Sequence, residues 1–393
     1  MQYKIPNPNC QQTFGKFTYF GCATGDIIKL DWETGASLTG SAHKDGCPIQ
    51  CMAFDSKFVY TGGWDRRIFR YNRDTLVLDT ECMFFESNDN PEAHTDFVKS
   101  LCVSEDEKYL FSGSADGMVY RWELPQAGTT VYLKPTITKL TNRFINSIVN
   151  LNATHIACGG SSRTIYVLDH NLKLVKEQLI QDCANISKII IKGYIFVLSK
   201  DLFILNQNLK TEMMFLMRND PIDLYFPPNR PELFYAACED NLKIVKYDQA
   251  APLDHYTKMA VTGRNMTAEQ VRALIKTGPP EQYEIVPSGV GKAFCGLECV
   301  KQKIAWQGIE KDCFMLVYGA HDEVARRIFL LKEDRELFVE KAKENKEGSS
   351  SIDLDDDDED IEIDQKKMEE IKYKRLKAML DGSETWHKDK FDE

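Results

Sequence analysis

His94, Ser112 and Asp116 are the residue types of an acyl-transfer site: a hydroxyl nucleophile, an imidazole to take its proton and a carboxylate to orient the imidazole. A catalytic set is needed once, and this one recurs. A shift of 51 residues places His94, Ser112, Asp116 and Trp122 on His43, Thr61, Asp65 and Tyr71, with the intervals of 18, 4 and 6 residues unchanged and Gly113 falling on Gly62. Nor does Ser112 stand in a Gly-x-Ser-x-Gly elbow between a strand and a helix. A polar set that the chain repeats serves something each repeat requires, the mutual pairing of buried polar groups. No catalytic residue is assigned.

Two other groupings have the right atoms in the wrong order. Cys295-x-x-x-Cys299, with Cys313 and His321 further on, offers zinc-ligand types, but the spacing is not that of a knuckle and the two cysteines lie in an apolar run. Gly289-Val290-Gly291-Lys292 lacks the spacer and the Ser/Thr of a phosphate-binding loop. Neither a metal nor a cofactor is expected.

The elements that must position the repeated set read as short strands. Thr18–Ala23 and Asp26–Trp32 flank a Thr24-Gly25 turn as a first unit; a second runs from about Pro48 to Phe85, and a third from Phe97. A fourth begins at Ile145, where the Ser161-Ser162-Arg163 turn has no Asp and leaves the polar set incomplete. A fifth covers Ile186–Leu205 and a sixth Ile222–Tyr247. Strands at this regular spacing favour an all-β repeat over a βαβ fold.

The His, Ser/Thr, Asp and Trp at these places, with Tyr71 standing for the Trp in the second unit, resemble the WD-repeat family over residues of about 10–250. That resemblance implies a WD40-like β-propeller in which each set hydrogen-bonds across its blade: His43, Thr61, Asp65 and Tyr71 in one, His94, Ser112, Asp116 and Trp122 in the next. Six blades can be counted and a seventh is open. It also implies a non-enzymatic scaffold or adaptor within a multiprotein complex. In the family the residue before the blade Asp opens onto the narrower face, where partners dock. Trp64 holds that place, followed by Arg66 and Arg67, and Trp and Arg are the types that most often dominate binding energy.

After Asp248 the composition shifts. Thr267-Ala268-Glu269-Gln270 is a capping box ahead of Val271, Leu274 and Ile275, and Gly278-Pro279-Pro280 ends that helix. Four β-like runs between Tyr283 and Leu331 and a helix from about Glu333 to Asn345 then form either a closing blade or an α+β extension. The expected division is 1–255 propeller, 256–346 extension or closing blade, 347–364 disordered acidic linker, and 365–393 basic amphipathic helix and tail. An alternative function places an enzyme or ligand site in 265–345, where His321-Asp322-Glu323 is the nearest thing to a convergent set.

Nine acidic residues lie between Asp353 and Asp364, and without them the formal net charge of −11 becomes −2. A nearly neutral body argues against nucleic acid as the propeller's partner. The acidic run suits a basic partner, and Ser350 and Ser351 beside it are candidate sites for an acid-directed kinase. The expected partners are proteins. The twelve cysteines fall singly in predicted strands, as in Cys22, Cys102, Cys158 and Cys238, which reads as a reduced intracellular protein. Met1–Lys16 lacks the apolar run of a signal peptide, and no stretch has the roughly 18 apolar residues of a membrane span. Lys374-Arg375-Leu376-Lys377 is a minimal match to a nuclear import signal, so cytoplasm and nucleus both remain open.

Overall fold

The computed structural model describes residues 3–43, 46–80, 82–84, 93–125, 131–181, 183–215, 220–226, 233–238, 242–246, 282–285, 297–306, 309–320 and 324–329. Every described regular element is a β-strand. Blade 1 consists of Pro8–Phe14, Phe17–Cys22, Asp26–Asp31 and Ser37–Ser41, paired antiparallel in that order from the ring centre outwards. Blade 2 has Ile49–Phe54, Phe58–Gly63 and Ile68–Asn72, with a single Tyr71–Leu78 bridge in place of a fourth strand. Blade 3 has Val98–Val103, Tyr109–Ser114, Met118–Glu123 and Pro135–Lys139, and blade 4 has Ile145–Asn152, His155–Gly160, Thr164–Asp169 and Leu174–Leu179.

Blade 5 runs Lys188–Lys192, Tyr194–Leu198, Leu202–Leu205 and Thr211–Phe215, and blade 6 runs Pro221–Tyr225, Leu233–Cys238, Leu242–Lys246 and Gln282–Ile285. The last sheet joins the two ends of the described chain: Glu298–Trp306, Ile309–Ala320 and Val324–Phe329 are completed by Tyr3–Lys4, with Tyr3 opposite Ala325. The innermost strands neighbour one another in chain order, and Glu298–Trp306 returns to Pro8–Phe14, so the ring closes. The Gln11 side-chain amide adds a buried hydrogen bond to the Val317 carbonyl at 3.0 Å across that closure. Closure of this kind leaves no long free edge at the centre of the fold. The described strands of 283–331 are thus the outer strand of blade 6 and three strands of blade 7; the expected helices at 267–275 and 333–345 lie outside the described residues.

Neighbouring blades approach closely because glycine faces a β-branched residue at each of four interfaces. A Cβ added at Gly21, Gly62, Gly113 or Gly159 would stand 2.6, 2.6 or 2.7 Å from Ile49, Val98 or Ile145, or 3.0 Å from Ile186, respectively. The four partners are fully buried and lie at or just before the start of the next inner strand. Hydroxyls add specific links: Ser100 Oγ accepts from the Ile148 N–H at 2.8 Å, and Ser147 Oγ accepts from the Ile189 N–H at 2.9 Å. A parallel ribbon of Cys82–Phe84 with Val131–Leu133 joins blades 2 and 3, and Phe84 packs edge-on to both Tyr60 and Trp122.

Cys22, Cys51 and Cys158 are buried, and burial pushes each thiol above its ordinary range. Since the thiolate is the reactive form, iodoacetamide at pH 8 is expected to label half-buried Cys47 in the native protein and leave these three unlabelled until denaturant is added. Peptide mapping would read the order, and early labelling of Cys158 would contradict the packing of blade 4.

Candidate functional site

The turn joining the second and third strands of a blade and the segment entering that blade's own inner strand lie at the same end of the ring, because adjacent strands run antiparallel. The repeated polar set holds these two segments together. In blade 3, His94 Nε2 and Ser112 Oγ are 2.7 Å apart, His94 Nδ1 and Asp116 Oδ2 are 3.1 Å apart, and the Trp122 indole N–H donates to Ser112 Oγ at 2.9 Å. Asp116 also accepts from the Thr95 and Met118 N–H groups at 3.1 and 2.8 Å. His94 stacks on Tyr120 with ring centres 3.9 Å apart, so the imidazole is fixed in plane as well as at both nitrogens.

Blade 2 repeats this geometry: His43 Nε2 meets Thr61 Oγ1 at 2.8 Å and His43 Nδ1 meets Asp65 Oδ1 at 2.9 Å. Asp65 Oδ1 further accepts from the Arg67 N–H at 3.2 Å. Tyr71 is fully buried where Trp122 stands in blade 3, but its hydroxyl lies near Thr61 and the Ala42 carbonyl without a well-formed hydrogen bond to either. Blade 4 has Cys158 in the place of Ser112 and Ser162 in the place of Asp116, and the Ser162 hydroxyl is buried and unpaired.

The hydroxyls of Thr61 and Ser112 and both imidazoles are sealed inside their blades. A nucleophile needs room for a carbonyl carbon about 3 Å away, and here that space is filled by Trp122 and Tyr120. For Asp116, burial alone would push the carboxyl up, but the hydrogen bonds from His94, Met118 and Thr95 outweigh it and hold the group below the ordinary carboxylate range. Among the described residues no three His, Cys, Asp or Glu side chains come together as a metal site. Cys299 and Cys313 lie on paired strands opposite Leu316 and Gln302, three rungs apart; Cys295, His321, Ser350 and Ser351 lie outside the described residues.

What the polar set leaves at the surface is a turn with alternating directions. Asp65 points inward to His43, so its neighbours Trp64 and Arg66 are thrown outward, Arg66 with φ of +67°. Trp64 is 46% exposed, stacks on Phe97 with centres 5.0 Å and planes 14° apart, and donates its indole N–H to Gln50 Oε1 at 3.0 Å. Arg66 reaches the Thr95 carbonyl at 3.4 Å, and Arg67 is half-buried. Trp64 therefore leans on the entry to blade 3 while keeping nearly half its surface in solvent.

Phe97 (38% exposed) and Phe144 (47% exposed) each stand immediately before an inner strand, at matching places in blades 3 and 4. Neither was singled out from the sequence. The signal was available: each precedes the buried β-branched residue that packs on the glycine of the preceding blade. At the first bulge of these inner strands, where the register skips a residue, sit Asn9, Gln50, Lys99 and Asn146. Their polar ends reach across to neighbouring segments; Lys99 Nζ lies 5.2 Å from the Phe144 ring centre, and burial lowers the Lys99 pKa against the opposing pull of Asp96.

Comparisons with known proteins agree with this architecture. The model of the WD domain, G-beta repeat, matches residues 35–72 and 86–123, which hold the two complete polar sets. An uncharacterized WD repeat-containing protein of Schizosaccharomyces pombe (strain 972 / ATCC 24843) is 33% identical over 124 residues, 30% of this chain and 31% of that protein. The chain thus matches about a third of that relative's length. A chain in a crystal structure of a mitotic checkpoint complex superposes with a TM-score of 0.59 at 11% identity, over 84% of this chain and 91% of that one, a likeness of fold. Among the described residues no helix is long and apolar enough to cross a membrane. The chain is a β-propeller that carries WD repeats at residues 35–72 and 86–123.

Proposed function

We propose that this propeller is a non-enzymatic scaffold that holds protein partners through the face carrying Trp64, Arg66 and Arg67. The observation that carries the reading is the exposure of Trp64, Phe97 and Phe144 on one end of a ring whose titratable sets are turned inward to pair with one another. Large aromatics left in solvent at the same end of neighbouring blades are the composition of an interface centre rather than of an ordinary surface. Repeats of the WD family and a propeller fold that also occurs within a multiprotein assembly support the same reading. The polar sets of His43, Thr61, Asp65 and Tyr71 and of His94, Ser112, Asp116 and Trp122 then serve to hold that face in shape.

Trp64→Ala tests it. Co-purification of the full chain with quantified bound proteins should fall more than tenfold, about 1.4 kcal/mol, while the melting temperature stays nearly unchanged because the side chain fills no enclosed space. A large loss of stability with the same proteins bound would assign Trp64 to the fold instead.

A further inference from the structure

We infer that the seam between blades 3 and 4 carries a pH-sensitive latch: the neutral His170 ring lies across the seam against Tyr109 and Phe111, and its protonation releases the Asp169–Lys173 turn. That turn joins the third and fourth strands of blade 4, so it lies at the end of the ring opposite Trp64.

The latch is one instance of a repeated contact. In blades 1, 2, 4 and 5 the third strand ends on or beside Asp31, Asn72, Asp169 or Asn206, and in each the side-chain oxygen accepts two N–H bonds from the turn that follows. The next residue is Trp32, Arg73, His170 or Gln207. Trp32 packs edge-on to Tyr3 of blade 7 with ring centres 5.4 Å apart, and the Arg73 guanidinium lies 4.1 Å from the Phe14 ring centre of blade 1. His170 lies 5.3 Å from Phe111 and 5.8 Å from Tyr109, both of blade 3. Gln207 instead bonds within its own blade, to the Gly193 carbonyl at 2.8 Å. At three seams, then, the residue after the turn cap rests on an aromatic ring of the preceding blade. Of the four side chains, histidine alone changes charge between about pH 5 and 8.

The seat favours the neutral imidazole. His170 Nε2 is buried without a hydrogen-bond partner, so a proton placed there brings a charge with no acceptor. A fixed cation holds the same turn from blade 3: Arg121 donates to the His170 carbonyl at 2.9 Å and to Asn171 Oδ1 at 3.0 Å. Its guanidinium lies 4.8 Å from the Tyr109 ring centre, so that ring already serves one cation. The other groups acting on His170 are Asp106 from blade 3 and His155 and Asp169 from blade 4. Lys108 pairs with Asp106 at 3.0 Å and Glu123 with Arg121 at 2.9 Å, and Lys173 closes the turn through its N–H on Asp169. Burial is the largest influence and, with His155 and Arg121, holds His170 below its ordinary range against the opposing pull of Asp106 and Asp169. The closed seam therefore belongs to the neutral ring. Its contribution is full above the unfolded value of about 6.5 and is lost as pH falls from there towards the lower, folded value.

The test uses the full chain with carbon-13 in its histidine rings, the His170 signal being assigned by its absence from His170→Gln, the side chain that blade 5 carries at this place. Its NMR titration midpoint should lie below about 6.5. Hydrogen exchange at the Asn171, Leu172 and Lys173 amides, corrected for intrinsic rate, should quicken at least about twofold between pH 7.5 and pH 5. That acceleration should vanish in His170→Gln and in His170→Phe, so either variant suffices if the other does not fold. A midpoint at or above 6.5, or an acceleration that persists in the variants, would overturn the latch. An acceleration spread evenly over all seven blades would overturn it too, as acid loosening of the whole ring.

Discussion

Asp116→Ala is expected to lower the free energy of unfolding by roughly 1–3 kcal/mol, the cost of leaving hydrogen-bond donors without their acceptor. The carboxylate, 7% exposed, receives hydrogen bonds from His94, Thr95 and Met118, and alanine would leave the part-buried His94 and Met118 donors without their acceptor. Urea titration of wild type and variant would measure the difference; an unchanged midpoint would remove the structural role and reopen a functional one. The pH dependence follows from the same contacts. Asp116 is held below its ordinary pKa in the folded state, so its contribution is fully present above the unfolded value of about 3.9 and is lost as pH falls through the lower, folded value. The stability gap between wild type and Asp116→Ala should therefore be constant from pH 8 to pH 5 and close only in acid. Asp65→Ala should likewise destabilise blade 2, where His43 and the Arg67 N–H are among the donors left behind.

The parts legible in the sequence are those that chemistry repeats. His43, Asp65 and Thr61 keep the intervals of His94, Asp116 and Ser112 because each set spans the same distance from an entry segment to a turn, and the distances in the two blades agree within a few tenths of an ångström. The central strands were legible too, since strands covered on both faces read as apolar runs such as Tyr194–Leu198 and Leu202–Leu205. The outermost strands were not. Leu174–Leu179 is exposed at every residue and Ser37–Ser41 at all but Gly40, so neither carries an alternation of buried and open positions. Pro8–Phe14 is the innermost strand of blade 1, yet it reads as a polar terminus because Asn9, Cys10, Gln12 and Thr13 are only half-buried towards the ring centre. The closing sheet is illegible in principle from local pattern: Tyr3–Lys4 pairs with Val324 and Ala325, and no property of a two-residue strand names so distant a partner. At the candidate site, Trp64 could be found from its place beside Asp65. Phe97, Lys99 and Phe144 needed the register of the inner strands, which fixes where the bulge falls.

Gly62→Ala is expected to destabilise the fold by about 2 kcal/mol, within the range for one methyl forced into a packed interior. The new Cβ would lie 2.6 Å from Val98 Cγ1, 2.8 Å from Cys51 Sγ and 3.1 Å from Val98 Cβ, all closer than van der Waals contact allows. Val98 cannot swing clear, because a β-branched side chain has few rotamers and this one is fully buried at the start of its strand. Relief must come from moving blade 3 relative to blade 2, which strains their other links at the ribbon of Cys82–Phe84 and Val131–Leu133. A double-mutant cycle isolates this cause. Val98→Ala alone should also destabilise, by opening a gap opposite Gly62, but Gly62→Ala with Val98→Ala restores one methyl across the interface in place of the valine's bulk. The pair should therefore cost less than the sum of the two single changes, by at least about 1 kcal/mol. Strict additivity in chemical denaturation would mean that Gly62 is required for its backbone alone and that the blades do not meet through Val98.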